Sequence, residues 1–338
     1  MLRIGLVGIG FMGRIHFLAS RQLADAKVTA VCSRDPVKLA GDWTNTRGNF
    51  GPPPGPVDLA GIARYASYAE MLADPSIDLI DICNPTDAHP ATAIAALEAG
   101  KHVLVEKAIA LTEADADRML AAAKHANRLL MVAHVLPFFP EFAFAAEAVK
   151  SRQYGSLLGA HFTRVIAKPD WSAAIGDAAL TGGPAVDLHI HDTHFIGLIA
   201  GVPKQVFATG LTEGPAVNYL TTQYLYGPGG PCITASSGAI AAKARPFVHG
   251  FEIYLERATL ALNPSGLTIF HHDGRVESPP LPGGGDPIAS FADELTAAVK
   301  GIKAGKAPEL LSGQLARDAL VLCHRECESV KTGKIVAI

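Results

Sequence analysis

The first strand of the chain and the glycines that follow it constrain the fold more than any other stretch. Ile4–Val7 is a short apolar strand, a predicted helix covers Arg14–Ala24, and between them lies Gly8-Ile9-Gly10-Phe11-Met12-Gly13. A G-x-G-x-x-G pattern between a strand and a helix is typical of a dinucleotide-binding turn, in which the glycines allow a tight turn, close approach of the pyrophosphate and close helix packing. The sequence therefore predicts a Rossmann domain whose cofactor site includes Gly8, Gly10, Phe11, Met12 and Gly13.

The end of the second predicted strand bears on the choice of cofactor. Val28–Cys32 is followed by Ser33, Arg34 and Asp35. An acidic residue at this strand end binds the ribose 2′-hydroxyl of NAD, whereas arginine suits the 2′-phosphate of NADP. Ser33 stands where the acid is expected, so the pattern favours NADP over NAD and makes Ser33 and Arg34 candidate cofactor residues. The alternative is that Asp35 turns inward and Arg34 is a solvated loop residue.

A charged pair at the end of another apolar strand is the main candidate for chemistry. The strand beginning at His102 ends in Glu106-Lys107. Ligands bind at the carboxyl ends of the strands in an open α/β sheet, and lysine is a candidate acid or base because its pKa shifts readily on desolvation. The alternative is that Lys107 extends to solvent. We expect the Glu106 carboxylate to point away from a catalytic Lys107. The turn Asn84-Pro85 and His89, after the strand Ile77–Cys83, is expected to face the same cofactor.

The second half of the chain contains a candidate acid/base pair. Thr181-Gly182-Gly183-Pro184 predicts the start of a helix that runs to about Ala200, because proline suits a first helical turn and Gly201 follows as a stop. Asp187 and His191 are four residues apart and would share one face of this helix. A carboxylate beside an imidazole orients the ring and raises its basicity.

A metal site is the competing interpretation of the same residues. Asp187-Leu188-His189-Ile190-His191 has the D-x-H-x-H pattern of metal-dependent amidohydrolases, in which alternate histidines of a strand bind one metal. On a helix His189 and His191 diverge, so the sequence predicts no metal site. His189 and His194 are interpreted as rim or packing residues.

Taken together, these motifs resemble the Gfo/Idh/MocA oxidoreductases, named for glucose–fructose oxidoreductase and inositol dehydrogenase. The resemblance rests on the glycine turn, on Asn84-Pro85-x-x-x-His89, on Glu106-Lys107, and on Gly-Gly followed by Asp187 and His191. It implies that Lys107 lies at the nicotinamide and the substrate, and that Asn84, Pro85, His89, Glu106 and Lys107 contribute to the cofactor site. The family has proline where this chain has Ala108, and usually glycine at His189. Because non-proline residues disfavour cis bonds, we expect a trans Lys107–Ala108 bond.

Three further residues are candidates for substrate binding. His134 ends a predicted strand, where it could reach a substrate or simply pack, and the loop before the glycine turn contains Lys168 and Trp171, whose charge and aromatic ring would suit a sugar face. The Gly- and Pro-rich segment Gly51–Pro56 is interpreted as a loop insertion without chemistry.

The predicted fold class is an α/β Rossmann domain plus an α+β domain with a large, mostly antiparallel open sheet. The expected domains are 1–128, which binds NAD(P), and 129–338, which binds substrate and mediates oligomerisation, with the last helix free to pack back on the first domain. Successive short strands between residues 204 and 270, at 205–210, 218–226, 233–238, 251–256 and 259–262, predict the second sheet. Helices are predicted at 288–301 and 313–331.

Composition excludes several classes of partner. A formal net charge of −3 provides no basic field for nucleic acid. No apolar run is long enough to span a membrane, and no signal peptide is recognised, so a cytoplasmic location is expected. Five dispersed cysteines do not form a disulfide pattern. The resemblance implies a homodimer or homotetramer and a small sugar or cyclitol as substrate.

The predicted function is NAD(P)-dependent hydride transfer between the nicotinamide and a secondary alcohol or ketone of a sugar or cyclitol. Lys107, His191 and Asp187 are the predicted catalytic residues. Two alternatives stay open: a glycoside-cleaving enzyme of the same superfamily that retains its cofactor, and a non-catalytic cofactor-sensing module.

Overall fold

The structure is a computed structural model that describes residues 1–168, 177–282 and 286–338. The chain divides into two compact units. The first contains Met1–Phe138 and Gly285–Arg317, and the second contains Phe139–Gly284 and Asp318–Ile338. Within the described ranges, no helix combines the length and the apolar character needed to cross a bilayer.

The first unit is built on a six-stranded parallel sheet, which confirms the predicted Rossmann fold. The strand order is β3-β2-β1-β4-β5-β6, the dinucleotide-binding order that reverses direction between β1 and β4. Its inner strands are buried on both faces, as parallel strands covered by helices must be, and every residue of β4 is buried, the charged Asp81 included. The strands are β1 (Leu2–Val7), β2 (Ala26–Cys32), β3 (Ala63–Tyr65), β4 (Leu79–Ile82), β5 (His102–Glu106) and β6 (Leu130–Ala133).

Capping residues fix both ends of α5, one of the helices of this unit. Thr112 Oγ1 accepts a hydrogen bond from the Asp115 backbone NH at the start of α5, and Asn127 ends that helix in the left-handed conformation, with φ 51°. The helices are α1 (Phe11–Ser20), α2 (Pro36–Leu39), α3 (Tyr68–Ala73), α4 (His89–Glu98), α5 (Glu113–Ala126) and α10 (Pro287–Ala304).

The second unit is built on a nine-stranded sheet that is mostly antiparallel, as predicted. β7 lies inside this sheet, antiparallel to β11 and parallel to β10. The five strands predicted between residues 204 and 270 are all present, whereas β7, β13, β14 and β15 were not predicted. The strands are β7 (Leu157–Ala167), β8 (Gln205–Glu213), β9 (Ala216–Leu225), β10 (Cys232–Ala241), β11 (Val248–Leu255), β12 (Ala258–Asn263), β13 (Gly266–His271), β14 (Val276–Glu277) and β15 (Val336–Ala337).

The predicted continuous helix from Pro184 to Ala200 was wrong, because the structure has two helices that are interrupted at Leu188 and His189. The backbone NH groups of Leu188 and His189 both bond to the carbonyl of Pro184, at 3.2 and 3.1 Å, which interrupts the regular ladder. The described helices that complete the chain are α6 (Pro140–Lys150), α7 (Ala178–Thr181), α8 (Pro184–Asp187), α9 (Ile190–Ala200) and α11 (Gly313–Thr332).

Candidate active site

The glycine turn joins β1 to α1 at the carboxyl edge of the parallel sheet. Gly8 has φ +92°, and a Cβ there would lie 2.6 Å from the Asn84 backbone nitrogen. A Cβ on Gly13 would lie 2.0 Å from the Gly8 carbonyl oxygen, so this glycine permits the close packing of helix and strand. At Gly10 a Cβ would meet nothing within 4 Å, which leaves open space at the N-terminus of α1. The turn therefore fits a dinucleotide, whose pyrophosphate would be held by backbone NH groups at this position.

After β2, the side chains of Ser33, Arg34 and Asp35 have different hydrogen bonds and exposure. The Asp35 carboxylate accepts a hydrogen bond from the Val37 backbone NH at 2.9 Å and caps α2, so it is engaged within its own loop. Ser33 Oγ accepts from the Asp35 backbone NH at 3.1 Å, and Arg34 is exposed. The local structure thus gives the carboxylate of Asp35 a capping role and leaves the guanidinium of Arg34 accessible.

His89 links the turn after β4 to the segment after β5. Its Nδ1 lies 2.8 Å from the Ala108 carbonyl oxygen, and its Nε2 lies 3.0 Å from the Asn84 carbonyl oxygen. Burial lowers the pKa of His89, and a neutral imidazole donates from one nitrogen, so the ring donates to one of the two carbonyls. Asn84 Nδ2 donates to Thr92 Oγ1 at 2.8 Å. Within the described residues its buried Oδ1 has no hydrogen-bond partner, which makes it an acceptor available to a cofactor. Pro85 is exposed beside it.

Lys107 follows β5 directly and is half-buried. Its backbone NH donates to Glu106 Oε2 at 3.1 Å, while Glu106 Oε1 lies 3.0 Å from His16 Nε2. The Lys107–Ala108 peptide bond is cis, so the expectation of a trans bond was wrong. Residue type alone favours trans here, but tertiary contacts decide: Ala108 is 1% exposed, and its carbonyl oxygen lies against His89.

A buried cluster that was not predicted lies behind Glu106. His16 Nδ1 lies 3.0 Å from both carboxylate oxygens of Asp81, and Glu294 Oε2 lies 4.0 Å from His16 Nε2. Burial lowers the pKa of His16, but the Asp81 carboxylate outweighs burial, and the pKa lies well above its usual range. Burial, with nearby Glu106 and Asp81, raises the pKa of Glu294 well above its usual range. These shifts favour the protonated forms of both His16 and Glu294.

Two members of this cluster, together with Cys83, form the one group of possible metal ligands found among the described residues. His16, Asp81 and Cys83 bring potential ligand atoms within 4.8 Å of one another. The imidazole nitrogens already lie at hydrogen-bond distance from carboxylates, so the side chains satisfy one another. The sequence signal for the cluster is the position of His16, three residues after Gly13, which brings it to the sheet side of α1.

Asp187 and His191 lie in the second unit, on either side of the break between α8 and α9. Both are half-buried. Asp187 is the last residue of α8, and its backbone NH donates to the Gly183 carbonyl at 2.8 Å. His191 lies in the first turn of α9. The four-residue spacing that predicted a shared helix face therefore spans an interruption rather than a continuous helix. Lys107 belongs to the first unit.

His189 and His194, interpreted from the sequence as rim or packing residues, are both fully buried. His189 Nε2 lies 2.8 Å from Glu326 Oε2 and 3.2 Å from the Tyr224 hydroxyl. Burial lowers the pKa of His189, but the Glu326 carboxylate outweighs burial and raises it. Burial alone lowers the pKa of His194 to about 3. Glu326 and Tyr224 were not predicted, because their role depends on contacts between distant segments.

The three predicted substrate residues have different surroundings. His134 follows β6 and is 1% exposed. Lys168 Nζ lies 3.2 Å from Glu213 Oε1 in an exposed pair. Trp171 lies outside the described residues.

The fold and the site define a dinucleotide-binding α/β protein with a second, sheet-based unit. Residues 2–134 match the model of the Gfo/Idh/MocA family, described as "Oxidoreductase family, NAD-binding Rossmann fold". Over these residues the chain is similar to this oxidoreductase family.

Two characterised relatives and one uncharacterised relative are similar in sequence. The chain is 28% identical over 279 residues to uncharacterized oxidoreductase ORF334 of Rhizobium meliloti, covering 80% of this chain and 78% of that protein. It is 29% identical over 210 residues to myo-inositol 2-dehydrogenase of Thermotoga maritima, covering 62% and 58%. It is 32% identical over 179 residues to levoglucosan dehydrogenase of Pseudarthrobacter phenanthrenivorans, covering 51% and 42%.

Solved structures share the fold over the whole chain. A levoglucosan dehydrogenase complex with NADH and levoglucosan has a TM-score of 0.85 at 21% identity, covering 100% of this chain and 99% of that chain. A probable dehydrogenase from Thermotoga maritima has a TM-score of 0.81 at 23% identity, covering 99% and 98%.

Proposed function

We propose that this protein is an NAD(P)-dependent dehydrogenase that interconverts a secondary alcohol and a ketone on a sugar or cyclitol. The observation that carries the proposal is Lys107, half-buried directly after β5 in a sheet whose order and glycine turn suit a dinucleotide. Relatives named myo-inositol 2-dehydrogenase and levoglucosan dehydrogenase support the substrate class. A homo-oligomer is part of the proposal.

Oxidation of a secondary alcohol removes a hydride from carbon and a proton from oxygen. A nicotinamide cofactor held at the glycine turn would supply the acceptor for the hydride that leaves the hydroxyl-bearing carbon. His191 takes the hydroxyl proton at its ring as the carbon–oxygen double bond forms, and Asp187 orients the ring. Lys107 donates a hydrogen bond to the reacting oxygen and stabilises the charge that develops there. In the reverse direction His191 returns the proton to the oxygen.

The proposed cofactor is NADP in preference to NAD. Asp35 caps α2 with its carboxylate, so it is not free to bind the ribose hydroxyls as an acid at this strand end would. Arg34 is exposed and suits a 2′-phosphate.

The test is a panel of sugars and cyclitols assayed with NAD and with NADP, following absorbance of the reduced nicotinamide. The proposal expects at least one secondary alcohol to be oxidised with stoichiometric cofactor reduction. Cleavage of a glycoside without net cofactor reduction would instead identify a glycoside-cleaving enzyme. Cofactor binding without any turnover across the panel would contradict the proposal.

A further inference from the structure

The loop between α2 and β3 is a closed structural unit with a narrow base. The Val57 backbone NH donates to the Gly41 carbonyl at 2.8 Å, and Asp42 pairs with Pro56 in an isolated antiparallel bridge. Because its ends are joined in this way, the thirteen residues between Asp42 and Pro56 form one loop, although its glycines and prolines predicted only an insertion without chemistry.

The base of this loop is anchored in the core of the first unit. Trp43 is 0% exposed, its ring packs edge-on against Phe17 with centroids 4.9 Å apart, and its Nε1 donates to the Lys38 carbonyl at 2.8 Å. Thr46 Oγ1 donates to the Trp43 carbonyl at 2.7 Å. A fully buried tryptophan with its NH satisfied holds the chain on both sides of it.

The tip of the loop packs directly on the glycine turn. Phe50 contacts Phe11 edge-to-face, with ring centroids 4.8 Å apart, and stacks on Phe291 at 5.6 Å. A Cβ on Gly48 would lie 2.0 Å from the Phe11 ring, so only glycine fits this approach. Behind the tip, Arg14 Nη1 donates to the Pro52 carbonyl at 2.8 Å.

These contacts lie next to the open space at Gly10, because Phe11 is the residue that follows it. We propose that the tip, Arg47–Gly51, is an additional wall of the dinucleotide site that slows cofactor release, a role that rests on the proposed function. Arg47 is exposed beside Gly48 and supplies a cation of the kind that binds phosphate oxygens. Phe50 acts as a positioning residue through Phe11.

The test measures binding of NADH and of NADPH to the whole protein without any sugar. Nicotinamide fluorescence gives the dissociation constant, and stopped-flow displacement by excess oxidised cofactor gives the dissociation rate. The variants are Phe50→Ala, the milder Phe50→Leu, and Arg47→Ala. Matched controls are Phe247→Ala, an exposed phenylalanine of the second unit, and Arg118→Ala, an exposed arginine of α5. Thermal unfolding of each variant checks the fold.

Loss of the aromatic contact in Phe50→Ala is expected to raise the dissociation rate about tenfold, with a smaller rise in Phe50→Leu and none in the controls. Arg47→Ala is expected to weaken binding and to make it less sensitive to salt. Dissociation rates within about twofold of wild type for the folded Phe50 and Arg47 variants would overturn the inference. Wild-type protein that binds neither nucleotide would overturn the proposed function as well, whereas tight binding without sugar turnover would overturn the proposed function alone.

Discussion

His16 Nε2 lies 3.0 Å from Glu106 Oε1, and this buried contact joins the helix after the glycine turn to the residue before Lys107. Asp81, at the end of β4, lies on the other ring nitrogen, and Glu294 of α10 lies 4.0 Å from the same Nε2. The His16 imidazole of α1 therefore connects the ends of β4 and β5 and lies near α10. The position of Lys107 depends on this connection, because its backbone NH donates to the same Glu106 carboxylate.

Replacement of His16 by alanine is expected to destabilise the protein severely. The variant leaves the Asp81 and Glu106 carboxylates buried without their cationic partner, which costs about 3–5 kcal/mol. Urea unfolding measures the loss. The control Lys303→Ala removes an exposed ion pair with Asp25 and should leave the urea midpoint unchanged. Equal urea midpoints for the two variants would contradict the imidazolium assignment.

Alanine substitutions at Gly10 and Gly13 are expected to separate an effect on cofactor affinity from an effect on the stability of the fold. In Gly10→Ala the new methyl group meets no protein atom within 4 Å, and the backbone φ of −108° suits alanine, so stability should be unchanged while cofactor binding weakens roughly tenfold. In Gly13→Ala the methyl group meets the Gly8 carbonyl at 2.0 Å, which should cost about 1–3 kcal/mol of stability. Fluorescence titration and urea unfolding measure the two effects. Stable, fully binding Gly10→Ala protein would show that the pyrophosphate does not lie there.

His194 is expected to make stability fall at acidic pH. Burial lowers its pKa to about 3, below the unfolded value of about 6.5. Between these two pH values the unfolded chain binds a proton that the folded protein does not. Stability should therefore fall by up to about 1.4 kcal/mol for each pH unit below 6.5 from this group. His194→Asn removes the titration, and its unfolding free energy should depend less steeply on pH. Parallel pH profiles for wild type and variant would show that His194 does not contribute.

The preference for NADP or NAD is expected to depend on the residues that follow β2. Arg34→Ala should weaken NADPH binding more than NADH binding, because only the former cofactor has a 2′-phosphate. Ser33→Asp should strengthen NADH binding, because a carboxylate at this position accepts from the ribose hydroxyls. Fluorescence titrations with both cofactors give the ratio. Unchanged NADH and NADPH affinities in Arg34→Ala would assign specificity to another residue.

The parts of the fold that were predictable are those set by local pattern. The glycine turn lies between a strand and a helix, as predicted, and the helix predicted at 288–301 lies within α10. β7 was not predicted, although it is central to the second sheet. Polar residues such as His161 and Arg164 interrupt its apolar residues, and this gave a weaker signal than the apolar runs of the first sheet.

Long-range contacts account for the rest. The pairing of His189 with Glu326 joins residues far apart in sequence, at the place where the predicted continuous helix is interrupted. The bond after Lys107 follows from the buried surroundings of Ala108 and not from its residue type. The loop tip on Phe11 likewise depends on a fold-back that no local pattern specifies.

The central claim is that Lys107 and His191 act on the reacting hydroxyl group. The most direct measurement is turnover of Lys107→Met and His191→Ala on the best substrate of the panel, beside cofactor affinity from fluorescence, with Lys27→Met as an exposed lysine control. We predict that each site variant loses about 10²–10⁴-fold in turnover, while it still binds cofactor and the control stays at wild-type activity. Wild-type turnover in either site variant would contradict the proposed mechanism.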